Sequence, residues 1–305
     1  MSTQAAQPPD RGEPDRILLH LDWHIVRRLD GILQGDYRSL FYGGGVDLAD
    51  LREYQTEDDI RNIDWNVTAR LNAPYVRQYT EDRDITAWFM LDLSPSMAFG
   101  AVERQKESVT VDLVATLGRL LTRNGHRIGA MFYNDGVELT IPPRSGRTQV
   151  LRLINDMLKR QRSTSGSTTD LAPSLDSALN TIKRRSLIFL ISDFICVPGW
   201  DRPLHLLARR HDLVPIRIWD PREVELPNIG LVLIEDSETG EQLHVDTRDK
   251  GFRSRFYQAA RRREAELNQT LKRAGVDLLS LSTDEDLVRA VLRFSAMRRR
   301  ARRRR

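Results

Sequence analysis

From Ile85 onward, mainly apolar strand-length runs alternate with longer segments of helical periodicity, and few folds accommodate that pattern. The runs fall at Ile85–Leu91, Arg127–Tyr133, Leu187–Ile191, Leu213–Trp219 and Val276–Leu281. Leu187–Ile191 is apolar at every step and Ile85–Leu91 at every step but Thr86, which is what parallel strands covered on both faces require. The segments between them read as helices over Glu103–Arg123, Gln149–Gln161, Leu171–Lys183, Arg202–His211 and Gly251–Arg273. The first carries Val109, Leu113, Leu117, Leu120 and Leu121 and stops at Asn124-Gly125, a helix-ending pair. A last helix is expected after Ser282-Thr283, with Asp286 three residues on as a capping-box-like partner. Two hairpins interrupt the alternation, one turning at Asn134-Asp135-Gly136 and one near Glu238-Thr239-Gly240. The pattern predicts an α/β fold, a doubly wound and mostly parallel sheet with helices on both faces.

In such sheets ligands bind beyond the carboxyl ends of the strands, where the winding reverses. Asp92 directly follows one apolar strand and Asp193 closes another. After Asp92 come Ser94 and Ser96, and residues two apart in an extended turn project to one side. One carboxylate and two hydroxyls form a hard, oxygen-only ligand set suited to Mg²⁺ or Mn²⁺. The low charge of that set suits a metal offered to something outside. Taken alone, Asp-x-Ser-x-Ser is also an ordinary strand-end turn.

Composition narrows the function classes. The net charge of +4 conceals a split, because seven arginines within Arg298–Arg305 leave the rest of the chain at −3. Cys196 is the single cysteine, which rules out an internal disulfide and a cysteine-based zinc site. A reducing, cytoplasmic location is expected, and no apolar run approaches the roughly 18–20 residues of a membrane helix. The proline-bearing stretch 1–15 is expected to be a disordered leader. Arg16–Leu33 reads as a helix, Gly35 and Gly43-Gly44-Gly45 mark turns, and Leu48–Tyr79 is polar and aromatic without clear period.

Three separated segments complete the candidate site: Asp92-Leu93-Ser94-Pro95-Ser96, Gly166-Ser167-Thr168-Thr169-Asp170-Leu171 and Leu190-Ile191-Ser192-Asp193-Phe194. Their order resembles the von Willebrand factor A (vWA) domain and its metal-ion-dependent adhesion site (MIDAS), with Asp-x-Ser-x-Ser, a distant Thr and a strand-terminal Asp. The resemblance implies metal ligation by Asp92, Ser94, Ser96, Thr169 and Asp193, with Thr168 as the alternative to Thr169. It also implies a coordination position left open for a partner's Asp or Glu. Phe194 departs from the pattern, since many vWA domains have Gly there.

The upstream segment Asp50–Arg70, with Arg52-Glu53-Tyr54, Asp58-Asp59-Ile60-Arg61, Ile63-Asp64-Trp65 and Ala69-Arg70, resembles the signature that precedes the vWA-like core in family fifty-eight of the domains of unknown function. Asp220-Pro221-Arg222-Glu223 and Val245-Asp246-Thr247 are also similar to it. That resemblance implies an adaptor or co-chaperone of a MoxR-type AAA+ ATPase rather than an enzyme. The implied layout is a leader (1–15), a family-specific extension packing on the core (16–84), a vWA-like domain (85–297) and a basic tail (298–305). The charged residues Arg52, Asp58, Asp59, Arg61, Asp64 and Arg70 fit salt bridges that pack the extension, or else a docking surface.

Two rival functions are weighed on residues. A Mg²⁺-dependent phosphoryl-transfer enzyme could use Asp92 as nucleophile, but Ser94 stands where a dehalogenase-like phosphatase places its general acid–base. No phosphate-binding Gly-x-x-x-x-Gly-Lys-Ser/Thr loop exists, so ATP hydrolysis by the chain itself is not expected. Nor do the six histidines, among them His20 and His24 on one helical face, form a zinc-protease pair. The arginine tail could bind nucleic acid weakly and without sequence preference, with steep salt dependence, though a solvated tail is the plainer reading.

Overall fold

The structure, a computed structural model, describes residues 13–21, 29, 50–55, 60, 63–71, 73–78, 85–101, 104–160, 169–235 and 241–302. They fall into two compact units, one within 42–84 and the other holding the rest. The helix expected over Arg16–Leu33 is described as α1, Glu13–Leu21, so it begins inside the stretch expected to be a leader. It belongs to the larger unit, not to the smaller one, and the segment 16–84 is thus divided between the two.

In the smaller unit, strands β1 (Asp50–Glu53) and β2 (Tyr75–Gln78) pair antiparallel, Asp50 facing Gln78. Helix α2 (Trp65–Leu71) lies between them in sequence. Buried Asp64 caps it, its Oδ1 accepting the Val67 N–H at 3.3 Å, the natural role of Asp before a first turn. Trp65 is 67% exposed, so the aromatic ring of the Ile-Asp-Trp motif faces outward while its carboxylate holds the backbone. Asp58, Asp59 and Arg61, the Arg52 side chain, and the turns at Gly35 and Gly43–Gly45 lie outside the described residues.

The larger unit is built on six strands. In chain order they and their neighbours are β3 (Thr86–Asp92), the short pair β4 (Gly100–Ala101) and β5 (Arg104–Gln105), α3 (Lys106–Arg123), β6 (Arg127–Tyr133), β7 (Val137–Arg144), α4 (Arg147–Lys159), α5 (Ala172–Thr181), β8 (Leu187–Ser192), α6 (Asp201–Arg210), β9 (Asp212–Trp219), β10 (Leu231–Glu235), β11 (Gln242–Asp246), α7 (Lys250–Arg273), β12 (Leu279–Ser282) and α8 (Leu287–Arg302). The central sheet runs β12-β9-β8-β3-β6-β7, parallel except for β7, which returns antiparallel through the Asn134–Gly136 turn. This is the doubly wound α/β arrangement the alternation demands. The β10–β11 hairpin stands apart as its own pair, its tip at 236–240 outside the described residues.

Both faces of the sheet are covered. Trp88, Met90, Ile188 and Leu190 point to one side and pack with Leu175 of α5, Leu204 and Leu207 of α6, and Leu267 and Leu271 of α7. Phe89 and Phe189 point to the other, stacked with ring centroids 5.2 Å apart. There α3 lies across β6 and β9, and α1 packs on α3 and α4 through buried Leu18 and Leu21. Asp15 reinforces this by pairing with Arg147 at 2.7 Å.

Gly129 on β6 shows how closely the sheet is filled. A Cβ there would lie 2.9 Å from the Ile141 carbonyl and 3.1 Å from both the Trp88 ring and the Pro143 ring. Gly129→Ala is expected to destabilise the protein by about 1–3 kcal/mol, the usual cost of overpacking, read as a lowered denaturation midpoint.

Two local expectations are corrected. Thr283 does not form a capping box with Asp286: its hydroxyl donates to Asp220 Oδ2 at 2.7 Å, and Asp286 itself accepts the Arg289 N–H at 2.9 Å at the start of α8. The basic tail also begins later than expected, because α8 continues to Arg302. Arg298 is buried within it, over the Phe294 ring and 3.7 Å from Asp277, and is therefore part of the folded body. Residues 303–305 lie outside the described residues. No helix among the described residues is long and apolar enough to cross a membrane.

Candidate metal centre

After β3 the chain turns to β6 on one side of the sheet, and it later returns to β8 on the other. The winding therefore reverses between β3 and β8, and the crevice at their carboxyl ends is the ligand position of the fold. Asp92 ends β3 and Asp193 follows β8, so the two carboxylates flank that crevice. Both are buried, at 5% and 2% exposure.

Each oxygen of Asp92 is held. Oδ1 accepts the Ser94 N–H at 2.8 Å and Oδ2 accepts the Ser192 hydroxyl at 2.6 Å. Burial and the nearby Asp193 charge nevertheless push its carboxyl up to about 6, against the lowering effect of the Ser192 and Ser94 bonds. A carboxylate this reluctant to ionise lacks positive charge nearby. Tyr133, fully buried at the end of β6, is part of the same environment: burial first, and then Asp92, raise its phenol well above the ordinary value.

The hydroxyls converge as the spacing predicts. Ser94 Oγ and Ser96 Oγ are 3.0 Å apart, both buried, with Ser96 in the one-turn 3₁₀ helix Pro95–Ala98. That separation is a hydrogen bond, and it also equals the edge of an octahedral Mg²⁺ shell, about 3 Å for metal–oxygen bonds of roughly 2.1 Å. Thr169 is buried, and its carbonyl accepts the Val197 N–H at 3.0 Å, which ties its segment to the loop following Asp193. Thr168, the alternative ligand, lies outside the described residues.

Asp193 is engaged on both oxygens. Oδ1 accepts the Ile195 N–H at 2.9 Å, folding the chain back after β8. This turn forces Phe194 into the left-handed region at φ 59°, a conformation that costs a non-glycine residue on the order of 1–2 kcal/mol and explains why glycine suits the position. Here the ring offsets that cost by packing against Trp200, centroids 5.9 Å apart. Oδ2 accepts a bond from Lys106 Nζ at 2.7 Å.

Lys106 was not legible as a site residue. It opens α3 in a run of charged residues, Arg104, Lys106 and Glu107, that reads as surface, yet its side chain is 0% exposed. It bridges Asp193 and Glu223, and although burial opposes its charge, the two carboxylates together hold its ammonium above the ordinary lysine value. Glu223 belongs to the Pro221–Glu223 turn after β9, where Asp220 and Glu223 form the reciprocal capping box. Among the described residues no cluster of three or more His, Cys, Asp or Glu is placed to hold a metal, so any cation here depends on the hydroxyls. The donor set fits a hard cation on two counts: the Ser94–Ser96 spacing, and the two buried carboxylates Asp92 and Asp193, of which only Asp193 meets the Lys106 ammonium, shared there with the half-buried Glu223.

The chain is similar to uncharacterized proteins of Mycobacterium tuberculosis and Mycobacterium bovis, 35% identical over 280 residues, spanning 92% of this chain and 88% of theirs. Among solved structures it is similar to an aerotolerance-related membrane protein from Bacteroides fragilis (12% identity, 71% of this chain and 99% of that one, TM-score 0.48). A further similar structure is the SpRpn10 VWA domain (12% identity, 68% and 93%, TM-score 0.40). Residues 50–266 match the model of the family described as "Protein of unknown function DUF58", and this chain belongs to that family.

Proposed function

We propose that the protein is a metal-dependent interaction module, an adaptor or co-chaperone rather than an enzyme, that presents Mg²⁺ or Mn²⁺ to a protein partner. Asp92, Ser94, Ser96, Thr169 and Asp193 would hold the ion, and the chemistry it supplies is an electrophilic position for a partner's Asp or Glu. The observation that carries the reading is the buried Ser94–Ser96 hydroxyl pair, 3.0 Å apart beside an underneutralised carboxylate at the crevice of the sheet. The partner is proposed to be a MoxR-type AAA+ ATPase, together with a client that the ATPase acts on. This rests on the family resemblance.

The chain's own residues do the positioning. Ser192 and the Ser94 N–H fix the Asp92 carboxylate, and the Asp193–Ile195 turn fixes the second one. Affinity capture with the purified protein, in Mg²⁺ and in chelator, tests the reading. Asp92→Ala is expected to lose both divalent-cation binding and Mg²⁺-dependent capture of the ATPase while its melting curve stays cooperative. Capture that is equal in wild type, mutant and chelator would sink it.

A further inference from the structure

Lys106 has no role in the metal-bridged reading, and its placement is physically expensive. It is the first residue of α3, where the helix dipole disfavours a cation, and it is completely buried. A lysine survives there only with dedicated partners, and it has them: Asp193 Oδ2 at 2.7 Å and the Glu223 carboxylate. The Phe99 ring adds a cationic contact at 5.9 Å, and the Lys106 backbone N–H donates to the Phe99 carbonyl at 3.1 Å. Arg217, a half-buried cation nearby, is directed to Glu264 at 3.8 Å, leaving Lys106 as the direct counter-charge of Asp193.

A carboxylate oxygen that accepts a charge-assisted bond from an ammonium is a weaker donor to a metal, and the ammonium repels an incoming dication. We infer that Lys106 is a built-in cation of the Asp92–Asp193 site, competing with divalent metal for Asp193 and setting the metal affinity low enough for reversible loading. This rests on the reading that the crevice takes a divalent cation. It assigns the strength of that binding to one residue outside the MIDAS ligand set. Glu223 acts as the second anchor, the group on which the ammonium stays when a metal takes Asp193, so that loading need not expel the lysine from its pocket.

The test is Mn²⁺ binding to the full-length protein, measured from the loss of the free-ion electron paramagnetic resonance signal, with Mg²⁺ as competitor. Lys106→Met keeps the unbranched stem to within one atom of its length and removes the charge. It is expected to bind Mn²⁺ at least ~10-fold more tightly than wild type, since a unit charge within a few ångströms of a partly buried dication carries at least that much. Its melting temperature should also rise further than wild type's on adding Mn²⁺. Lys106→Met/Glu223→Gln removes one charge of each sign, which guards against a fold lost to uncompensated carboxylates, and it too should bind more tightly than wild type. Equal or weaker Mn²⁺ affinity in both variants overturns the inference and leaves the metal-bridged reading standing. Binding in the variants but not in wild type supports the inference and overturns metal bridging for the native protein, while no binding in any of the three overturns both.

Discussion

Asp92→Asn is expected to melt at a higher temperature than wild type at pH 7.5 in chelator, although it destroys the candidate metal site. The Asp92 carboxyl titrates at about 6 in the fold against 3.8 for the unperturbed group. The native state therefore holds this proton more tightly than the unfolded chain does. Stability contributed by the group is present at low pH, falls as pH rises from about 4 to about 6, and is absent above that window. At neutral pH the ionised, metal-free Asp92 consequently costs the fold on the order of 2–3 kcal/mol. Asparagine carries no charge and keeps an oxygen for the Ser94 N–H, while its amide can donate to Ser192 Oγ, which already accepts the Phe194 N–H and has a second lone pair to offer.

Part of the gain goes to accommodating that amide, so a rise of about 2–6 °C is expected, from roughly 1–2 kcal/mol at a few degrees per kcal/mol. The difference from wild type should shrink towards pH 4.5, where wild-type Asp92 is protonated. Melting curves at pH 4.5, 6 and 7.5 check it, and saturating Mg²⁺ should narrow the pH 7.5 gap by stabilising wild type alone. An aspartate that merely braces the strand end predicts the opposite sign at pH 7.5. A lower melting temperature there for Asp92→Asn would show that the carboxylate is already compensated and remove the electrostatic case for a cation.

The parts of the fold that could be read from the chain are those whose determinants are local and periodic. Leu187–Ile191 is apolar throughout because β8 is flanked by β3 and β9 and covered on both faces. The β6–β7 return was marked by Asn134-Asp135-Gly136, and the site carboxylates by their position directly after two such strands. What escaped was set by distant partners. A two-residue strand such as Arg104–Gln105 is too short to show a period, so helix α3 begins at Lys106 and not at Glu103. Thr283 looks like a helix cap, but its hydroxyl goes to Asp220, 63 residues away and across the ends of β9 and β12. Lys106 meets Asp193 from 87 residues off. Nothing in the neighbourhood of a lysine announces that a carboxylate from another strand will bury it. The one available signal was the family-like Asp220–Glu223 stretch, which named half of the pair without its partner.

The Asp193–Lys106–Glu223 triad, buried except at the edge of Glu223, sets up the second large effect. Lys106→Met is expected to destabilise the metal-free protein by about 3–5 kcal/mol, because it leaves Asp193 and Glu223 close together without their shared cation. Most of that loss would be the penalty on the stranded carboxylates and not the net worth of the ion pairs, since burying all three charges already carries a desolvation cost. The triple variant Lys106→Met/Asp193→Asn/Glu223→Gln separates the two contributions. Its asparagine can still accept the Ile195 N–H and its glutamine the Asp220 N–H, so both turns keep their backbone ties. It is expected to recover more than half of the stability lost in Lys106→Met, measured by urea denaturation in chelator with the slope unchanged. A triple variant no more stable than Lys106→Met would mean that the ion pairs themselves hold the crevice together. Recovery would mean that the charges are kept at a stability cost, which is what a site retained for binding a cation requires.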